Sequence, residues 1–99
     1  MTTLPQEELV STPMPGPRAQ ALAERARDAV PRAMSAAMPT FAAAADRGIL
    51  EDVDGNRLID LGSGIGVTTV GGAAGPVAAA VRDQVDRLTH TSFAVTRYE

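Results

Sequence analysis

The hydrophobic and polar positions divide the chain into two helical patterns on either side of a strand-like region. After Pro17, apolar residues recur at helical spacing: Ala19, Leu22, Ala23, Ala26 and Val30. This stripe predicts an amphipathic helix over about 17–30, which Pro17 can open and Pro31 ends. A second stripe predicts another helix from Pro76 to near Thr89: Val77, Val81, Val85 and Leu88.

Between these helices, two short β-prone runs predict an antiparallel hairpin. The runs are Ile49–Val53 and Arg57–Leu61, and Asp54-Gly55-Asn56 separates them. Asp-Gly at this place favours a tight primed turn, because glycine adopts positive φ without steric cost. The second run leads into Gly62–Gly66, where alternating glycines allow a sharp turn or a close approach to a ligand or another strand. We expect the rest of the chain to pack against this unit.

Two segments have no clear periodicity. Residues 1–16 contain three prolines among polar residues, which predicts an extended, flexible N-terminal arm. The alanine-rich run Thr40–Ala45 has helical propensity, but it leads directly into the hairpin. The sequence therefore leaves open whether this run forms a helix or an edge strand.

Composition limits what these elements can build. Of the 99 residues, 44% are hydrophobic, but many are alanine and only Phe41, Phe93 and Tyr98 are aromatic, so we expect a thin core. Without cysteine and with one histidine, the chain offers no thiolate or multi-histidine metal site. A net charge of −3 without a basic cluster argues against nucleic acid. There is no signal-like or membrane-length apolar run, so we expect a cytoplasmic chain without a membrane partner.

Few side chains suggest chemistry. All nine basic residues are arginine, and without lysine no lysine Schiff base can form within these residues. His90 is a candidate acid or base, but a structural hydrogen bond at a helix end explains it better. Asp52, Asp54 and Asp60 suggest a cation site, but their hairpin positions favour turn-forming and solvent-facing roles. We therefore predict no catalytic, cofactor-binding or metal-binding residue here.

One local motif resembles an S-adenosylmethionine site. Leu58–Gly66 reads LIDLGSGIG, which is similar to the first motif of S-adenosylmethionine-dependent methyltransferases. In that family a helix starts directly after the glycines, whereas here the predicted helix waits until Pro76. A hairpin also precedes the strand where a doubly wound fold has a helix. The methyltransferase interpretation is the alternative to the one that follows.

A longer stretch resembles the N-terminal signature of class III pyridoxal-phosphate aminotransferases. Gly48–Ile65 reads GILEDVDGNRLIDLGSGI, where the family has a D-x-D/E-G-x-x-x-I/L-D hairpin that runs into G-I-A-V. The family continues with a glycine turn, a helix and L-x-H-T/S, which correspond here to Val70-Gly71, the second helix and Leu88–Ser92. Val67–Gly71 and His90-Thr91 are most similar to bacterial members that act on 4-aminobutyrate (GABA). Gly66 departs from the usual alanine.

This resemblance implies an α+β fragment, with two amphipathic helices and a β-hairpin. Residues 17–99 would form the N-terminal segment of the small domain of a fold type I (α/β) enzyme and end before its large domain. That large domain would hold pyridoxal phosphate. The complete enzyme, a homodimer, would move an amino group between an ω-amino acid and a 2-oxo acid. A non-catalytic, truncated protein is the other alternative.

The resemblance also implies a substrate contact. Ile65 would line the substrate pocket and contact the carbon chain of the amino acid, while Gly64 would let the backbone pass close to it. The competing interpretation makes Ile65 an ordinary core residue that anchors the loop.

Overall fold

The computed structural model describes residues 3–97, and Tyr98 of the sequence analysis lies outside them. Six elements follow one another along the chain: α1 (Pro17–Ala29), β1 (Ala42–Asp46), β2 (Ile49–Asp52), β3 (Arg57–Ile59), α2 (Ser63–Gly66) and α3 (Gly75–Arg87). The strands form one antiparallel sheet in the order β1-β2-β3. The predicted α+β class, with two longer helices around a hairpin, is confirmed.

The alanine-rich run is an edge strand. In β1, Ala45 pairs with Leu50 and Asp46 with Ile49 of β2, and a bulge interrupts the ladder near Ala42. Intrinsic propensity favours a helix here. The open edge of β2, however, offers hydrogen-bond partners for the backbone, and pairing with this edge outweighs the propensity. Of the two possibilities that the sequence leaves open, the strand is the one that forms.

The hairpin between β2 and β3 forms as predicted, but its turn is of another type. The Asp52 N–H donates to the Asn56 carbonyl at 2.9 Å, and the Gly55 N–H donates to the Asp52 carbonyl at 3.1 Å. Within this loop only Gly55 has a positive φ, of 83°. The predicted primed two-residue turn is therefore wrong. The connection is a three-residue loop, Val53–Gly55, with glycine in the left-handed position.

The first helix receives its N-terminal cap from the hairpin. Gly16 is the N-cap residue of α1 and has no side chain to accept the free amides. Asp54 supplies the acceptor instead, with the Arg18 N–H donating to Oδ1 at 2.8 Å and the Ala19 N–H donating to Oδ2 at 2.9 Å. A Cβ atom on Gly16 would lie 2.5 Å from the Asp54 Cγ atom. The glycine is therefore what allows the carboxylate to reach the helix end.

We expect Asp54→Ala to destabilise α1, because two helix-end amides lose their acceptor. Removing an N-cap side chain typically costs about 1 kcal/mol. Amide exchange at Arg18 and Ala19 should accelerate by roughly fivefold, the equivalent of that energy. Asp28→Ala, at an exposed position near the other end of the same helix, is the matched control and should leave both amides unchanged. Equal exchange in the two variants would show that Asp54 does not act as the cap.

The N-terminal arm lies along the sheet. Leu9 and Arg57 form an antiparallel bridge, in which the Leu9 N–H donates to Arg57 at 3.0 Å and the Arg57 N–H donates to Leu9 at 2.7 Å. Nearer the N-terminus, the backbone N–H of Leu4 donates to Oδ2 of Asp46 in β1 at 3.0 Å. The arm thus contacts both edge strands, through one bridge to β3 and one hydrogen bond to β1. Its predicted flexibility stays a prediction.

The core is thin, as the alanine-rich composition indicates. The buried apolar residues of the described chain are Leu4, Ala19 and Ile49. The radius of gyration is 17.1 Å, whereas a compact domain of this size has about 13 Å. Among the described elements, only the strands pack against one another. The stripe of α3 is correspondingly exposed, with Val77, Val81 and Val85 each more than half accessible. No described helix has the length and apolar character needed to cross a membrane.

Candidate functional site

The short element α2 is one left-handed turn. Its four residues, Ser63–Gly66, have φ angles of 45°, 59°, 57° and 78° in chain order. Left-handed winding costs an L-residue about 1–2 kcal/mol, because Cβ comes too close to the following carbonyl oxygen. Glycine avoids this cost at two of the four positions. The alternating glycines therefore permit the turn, and Ser63 and Ile65 carry its remaining strain.

Ile65 projects from this turn into solvent. The residue is 96% exposed, although it is large, apolar and β-branched. A β-branched residue with positive φ is a conformational outlier, and such outliers concentrate at functional sites. The interpretation of Ile65 as a core residue of the described chain is wrong. Ile65 and its neighbour Gly64 are both exposed on the surface of the loop.

The turn is connected to the sheet through Asp60. The Asp60 N–H donates to the Gly48 carbonyl at 2.9 Å, and the Ser63 N–H donates to Asp60 Oδ1 at 2.8 Å. The Ser63 carbonyl then accepts the N–H groups of Val67 and Thr68 at 2.9 and 3.0 Å. Asp60 is partly buried, and its carboxylate has a turn-forming role, as predicted for the hairpin aspartates.

Further along the glycine loop, the chain returns to the sheet. Gly72 and Arg47 exchange backbone hydrogen bonds of 2.9 and 3.0 Å, next to the turn between β1 and β2. At Gly71, where φ is 90°, a Cβ atom would lie 2.4 Å from the Arg47 carbonyl oxygen. Here the glycine allows a close approach to the backbone of the turn between β1 and β2. At Gly64, by contrast, such a Cβ atom would be in ordinary van der Waals contact with the Val67 Cβ at 3.4 Å and the Thr68 Cγ2 at 3.7 Å.

The hairpin aspartates have separate structural roles. Asp52 is buried and accepts three hydrogen bonds: from the Asn56 N–H at 2.8 Å, from Asn56 Nδ2 at 2.8 Å and from the Asp54 N–H at 2.9 Å. Asp52 thus has a turn-forming role, as predicted for the hairpin aspartates, but it is buried and does not face solvent. Residues 3–97 contain no cluster of three or more acidic or histidine side chains that could hold a metal ion.

The environment of Asp52 makes its contribution to stability depend on pH. Burial raises the pKa of the Asp52 carboxyl, but the hydrogen bonds from the Asn56 side chain and from the loop backbone outweigh this effect and set the pKa below its ordinary value. A lowered pKa in the folded state means that the carboxylate contributes stability above the unfolded-state pKa of about 3.9. This contribution disappears as the pH falls through the folded-state value.

We therefore expect Asp52→Asn to be destabilised at pH 7 and to approach the parent protein in strong acid. The free energy of unfolding of both proteins, measured by denaturant at pH 7 and near pH 3, checks this. The difference between them should shrink at the lower pH. A difference that is the same at both pH values would contradict the assignment.

His90 lies beyond the C-terminal end of α3 and has a structural partner. Its Nε2 atom accepts the Ser92 N–H at 3.2 Å, in an exposed segment. His90 therefore has a hydrogen-bond partner, but the bond lies within the segment after α3 and does not involve the helix end. Among the described hydrogen bonds, none links His90 to the turn that presents Ile65.

Sequence reasoning missed the role of Asn56, which is completely buried. Its Oδ1 atom accepts the backbone N–H groups of Ser11 at 2.9 Å and Thr12 at 3.0 Å, and its Nδ2 donates to Thr12 Oγ1 at 2.8 Å. Asn56 therefore joins the N-terminal arm to the hairpin. Asparagine after Asp-Gly is an ordinary turn signal, and nothing local indicates a partner more than forty residues away.

Comparison with known families matches most of the described chain. The family model "Aminotransferase class-III" matches residues 31–99. This range contains the sheet, the left-handed turn and α3.

Individual relatives extend the match to the whole chain. The 4-aminobutyrate aminotransferase of Mycobacterium tuberculosis is 52% identical over all 99 residues. The 5-aminovalerate aminotransferase DavT of Pseudomonas aeruginosa is 38% identical over 80 residues, and the 4-aminobutyrate aminotransferase GabT of Escherichia coli is 37% identical over 78 residues. These alignments cover 81% and 79% of the chain. The chain spans 22%, 19% and 18% of the three relatives.

Proposed function

Because the chain belongs to the class III aminotransferases, we propose that it is the N-terminal part of an enzyme acting on ω-amino acids. The enzyme would transfer the amino group of its donor, 4-aminobutyrate in particular, to a 2-oxo acid. Relatives named for 4-aminobutyrate and for 5-aminovalerate support this substrate class, since both compounds carry an amino group at the end of an aliphatic chain.

The observation that carries the proposal is the exposure of Ile65 on a left-handed turn. An apolar side chain presented in this way can contact the methylene groups that distinguish an ω-amino acid from a short α-amino acid. Gly64 beside it is exposed and has no side chain, so a ligand could approach its backbone. Ile65 and Gly64 are thus the proposed substrate-binding residues.

The proposal includes pyridoxal phosphate as the cofactor of the complete enzyme. When bound, this group supplies the carbonyl that receives the amino group from the donor. The chain has no lysine, so the covalent attachment must come from another part of the enzyme, and the residues described here would contribute only to the substrate side. The same proposal places residues 17–99 in the small domain of a fold type I enzyme that is homodimeric and cytoplasmic.

The methyltransferase alternative is not supported. A nucleotide-type glycine loop places a helix N-terminus directly against its ligand. Here α3 begins at Gly75, well after the last glycine of the motif at Gly66, and the strand before the motif belongs to an antiparallel sheet.

The proposal is tested by donor preference. The complete enzyme that carries this segment, saturated with pyridoxal phosphate, would be assayed with 4-aminobutyrate, 5-aminovalerate and alanine, with 2-oxoglutarate as acceptor. We expect kcat/KM for the two ω-amino acids to exceed that for alanine by at least about tenfold, since each well-placed methylene contact discriminates by roughly 1–3 kcal/mol. A preference for alanine would reject the proposed substrate class. Absence of any transamination would favour a non-catalytic protein.

A further inference from the structure

The conformation of Ile65 cannot be explained by packing of its own side chain. Because the residue is 96% exposed, almost none of its surface contacts the rest of the described chain. Its φ of 57° is nevertheless unfavourable for a β-branched residue. Whatever keeps Ile65 in place must therefore act on the backbone of the turn.

Within the described residues, the side chain that bonds the backbone of this turn is Asp60. Its Oδ1 atom accepts the Ser63 N–H at 2.8 Å, at the first residue of the turn with positive φ. The Asp60 backbone is fixed in turn by its bond to Gly48 at the start of β2. Asp60 therefore fixes the turn relative to the sheet. The Ser63 carbonyl closes the turn by accepting hydrogen bonds from two later amides.

We infer that Asp60 is a positioning residue that fixes the donor preference of the enzyme by holding Ile65 in the left-handed turn. The inference rests on the proposed function, because it assumes that Ile65 contacts the donor. Asp60 itself touches neither substrate nor cofactor. Its carboxylate acts as a hydrogen-bond acceptor for the turn. This role requires an oxygen atom at the right position but does not require a negative charge.

The test compares three variants of the complete enzyme: Asp60→Ala, Asp60→Asn and Asp60→Glu. The readout is the ratio of kcat/KM for 4-aminobutyrate to that for 5-aminovalerate. Asp60→Ala removes the acceptor and should change this ratio by about fivefold, the effect of losing one ordinary hydrogen bond. Asp60→Asn keeps an oxygen at the same place and should restore the parent ratio. Asp60→Glu keeps the charge but displaces the oxygens by one methylene, and it should behave like Asp60→Ala.

Asp54→Ala is the matched control. Asp54 lies in the same hairpin, and its carboxylate also accepts backbone amides, but these belong to α1 and not to the turn. This variant should lower the melting temperature and leave the donor ratio unchanged. A loss of activity that is equal for both donors in Asp60→Ala, or a ratio that Asp60→Asn fails to restore, would overturn the inference.

Should Asp60→Ala not fold, the contrast between Asp60→Asn and Asp60→Glu decides the same question, because these variants separate the position of the acceptor from its charge. Ile65→Ala, assayed in parallel, distinguishes a failure of the proposed donor contact from a failure of the positioning role of Asp60. If Ile65→Ala does not alter the ratio, the proposed donor contact fails. If Ile65→Ala alters it and the Asp60 variants do not, only the positioning role of Asp60 fails.

Discussion

Asn56→Ala is expected to release the N-terminal arm from the hairpin and to lower the free energy of unfolding by about 3 kcal/mol or more. The variant removes the acceptor for the Ser11 and Thr12 amides and the donor to Asp52 Oδ2. Each buried polar group left without a partner costs roughly 1–3 kcal/mol, and at least two are affected here. Since Asn56 and Asp52 are both buried, water cannot readily replace the bond between them.

Amide hydrogen exchange locates this effect within the complete protein. Exchange at Ser11 and Thr12 should accelerate by about a hundredfold, which corresponds to roughly 2.7 kcal/mol. Ser11→Ala is the matched control, because it removes only the long 3.5 Å contact between Ser11 Oγ and Asn56 Oδ1 and leaves the backbone bond in place. Protection that survives in Asn56→Ala would mean that the bridge between Leu9 and Arg57 suffices to hold the arm.

Ile65→Ala is expected to lower kcat/KM for 4-aminobutyrate at least about tenfold, which corresponds to roughly 1.4 kcal/mol. One missing methylene in a shaped pocket is worth about 1–3 kcal/mol, and this substitution removes more than one carbon. The visible absorption of the bound cofactor should not change, because Ile65 is not expected to hold it. Steady-state kinetics with donors of two chain lengths, together with a thermal melt, checks the prediction.

Two further variants define what Ile65 does. Ile65→Phe should shift preference toward shorter donors, since a larger side chain shortens the pocket. Leu61→Ala removes another exposed apolar side chain just before the turn and should leave donor preference unchanged. Equal losses for both donors in Ile65→Ala, combined with a lower melting temperature, would indicate a packing role in the assembled enzyme instead of a substrate contact.

The elements of this fold were predictable where local pattern and local chemistry agree. The stripe after Pro17 and the prolines on either side locate α1 to within one residue, and α3 begins one residue before Pro76. The hairpin was equally clear because Asp-Gly lies between two β-prone runs. The alanine run was ambiguous because its conformation depends on the edge of β2, a partner that propensity does not take into account.

The glycine turn was predictable from the sequence, but its geometry was not, and the substrate role of Ile65 and Gly64 stays a prediction. Alternating glycines indicated an unusual turn, and family resemblance indicated Ile65. The left-handed winding and the role of Asp60 could not be foreseen, because they depend on φ angles and on a hydrogen bond across three residues. The acceptors that Asp54 and Asn56 provide to distant parts of the chain were missed for a related reason: an aspartate or asparagine beside glycine already has a sufficient local explanation as a turn residue.

The loop between β2 and β3 also constrains the order in which this chain can acquire its structure during synthesis. The amides of Ser11 and Thr12 depend on Asn56, which lies 45 and 44 residues later in the chain. A ribosome that adds about 5–20 residues per second takes roughly 2–9 s to cover that distance. Until this interval ends, the arm, and then the first turn of α1, are synthesised before their acceptors exist. The nascent N-terminal segment therefore stays accessible to chaperones and proteases until the hairpin loop has emerged.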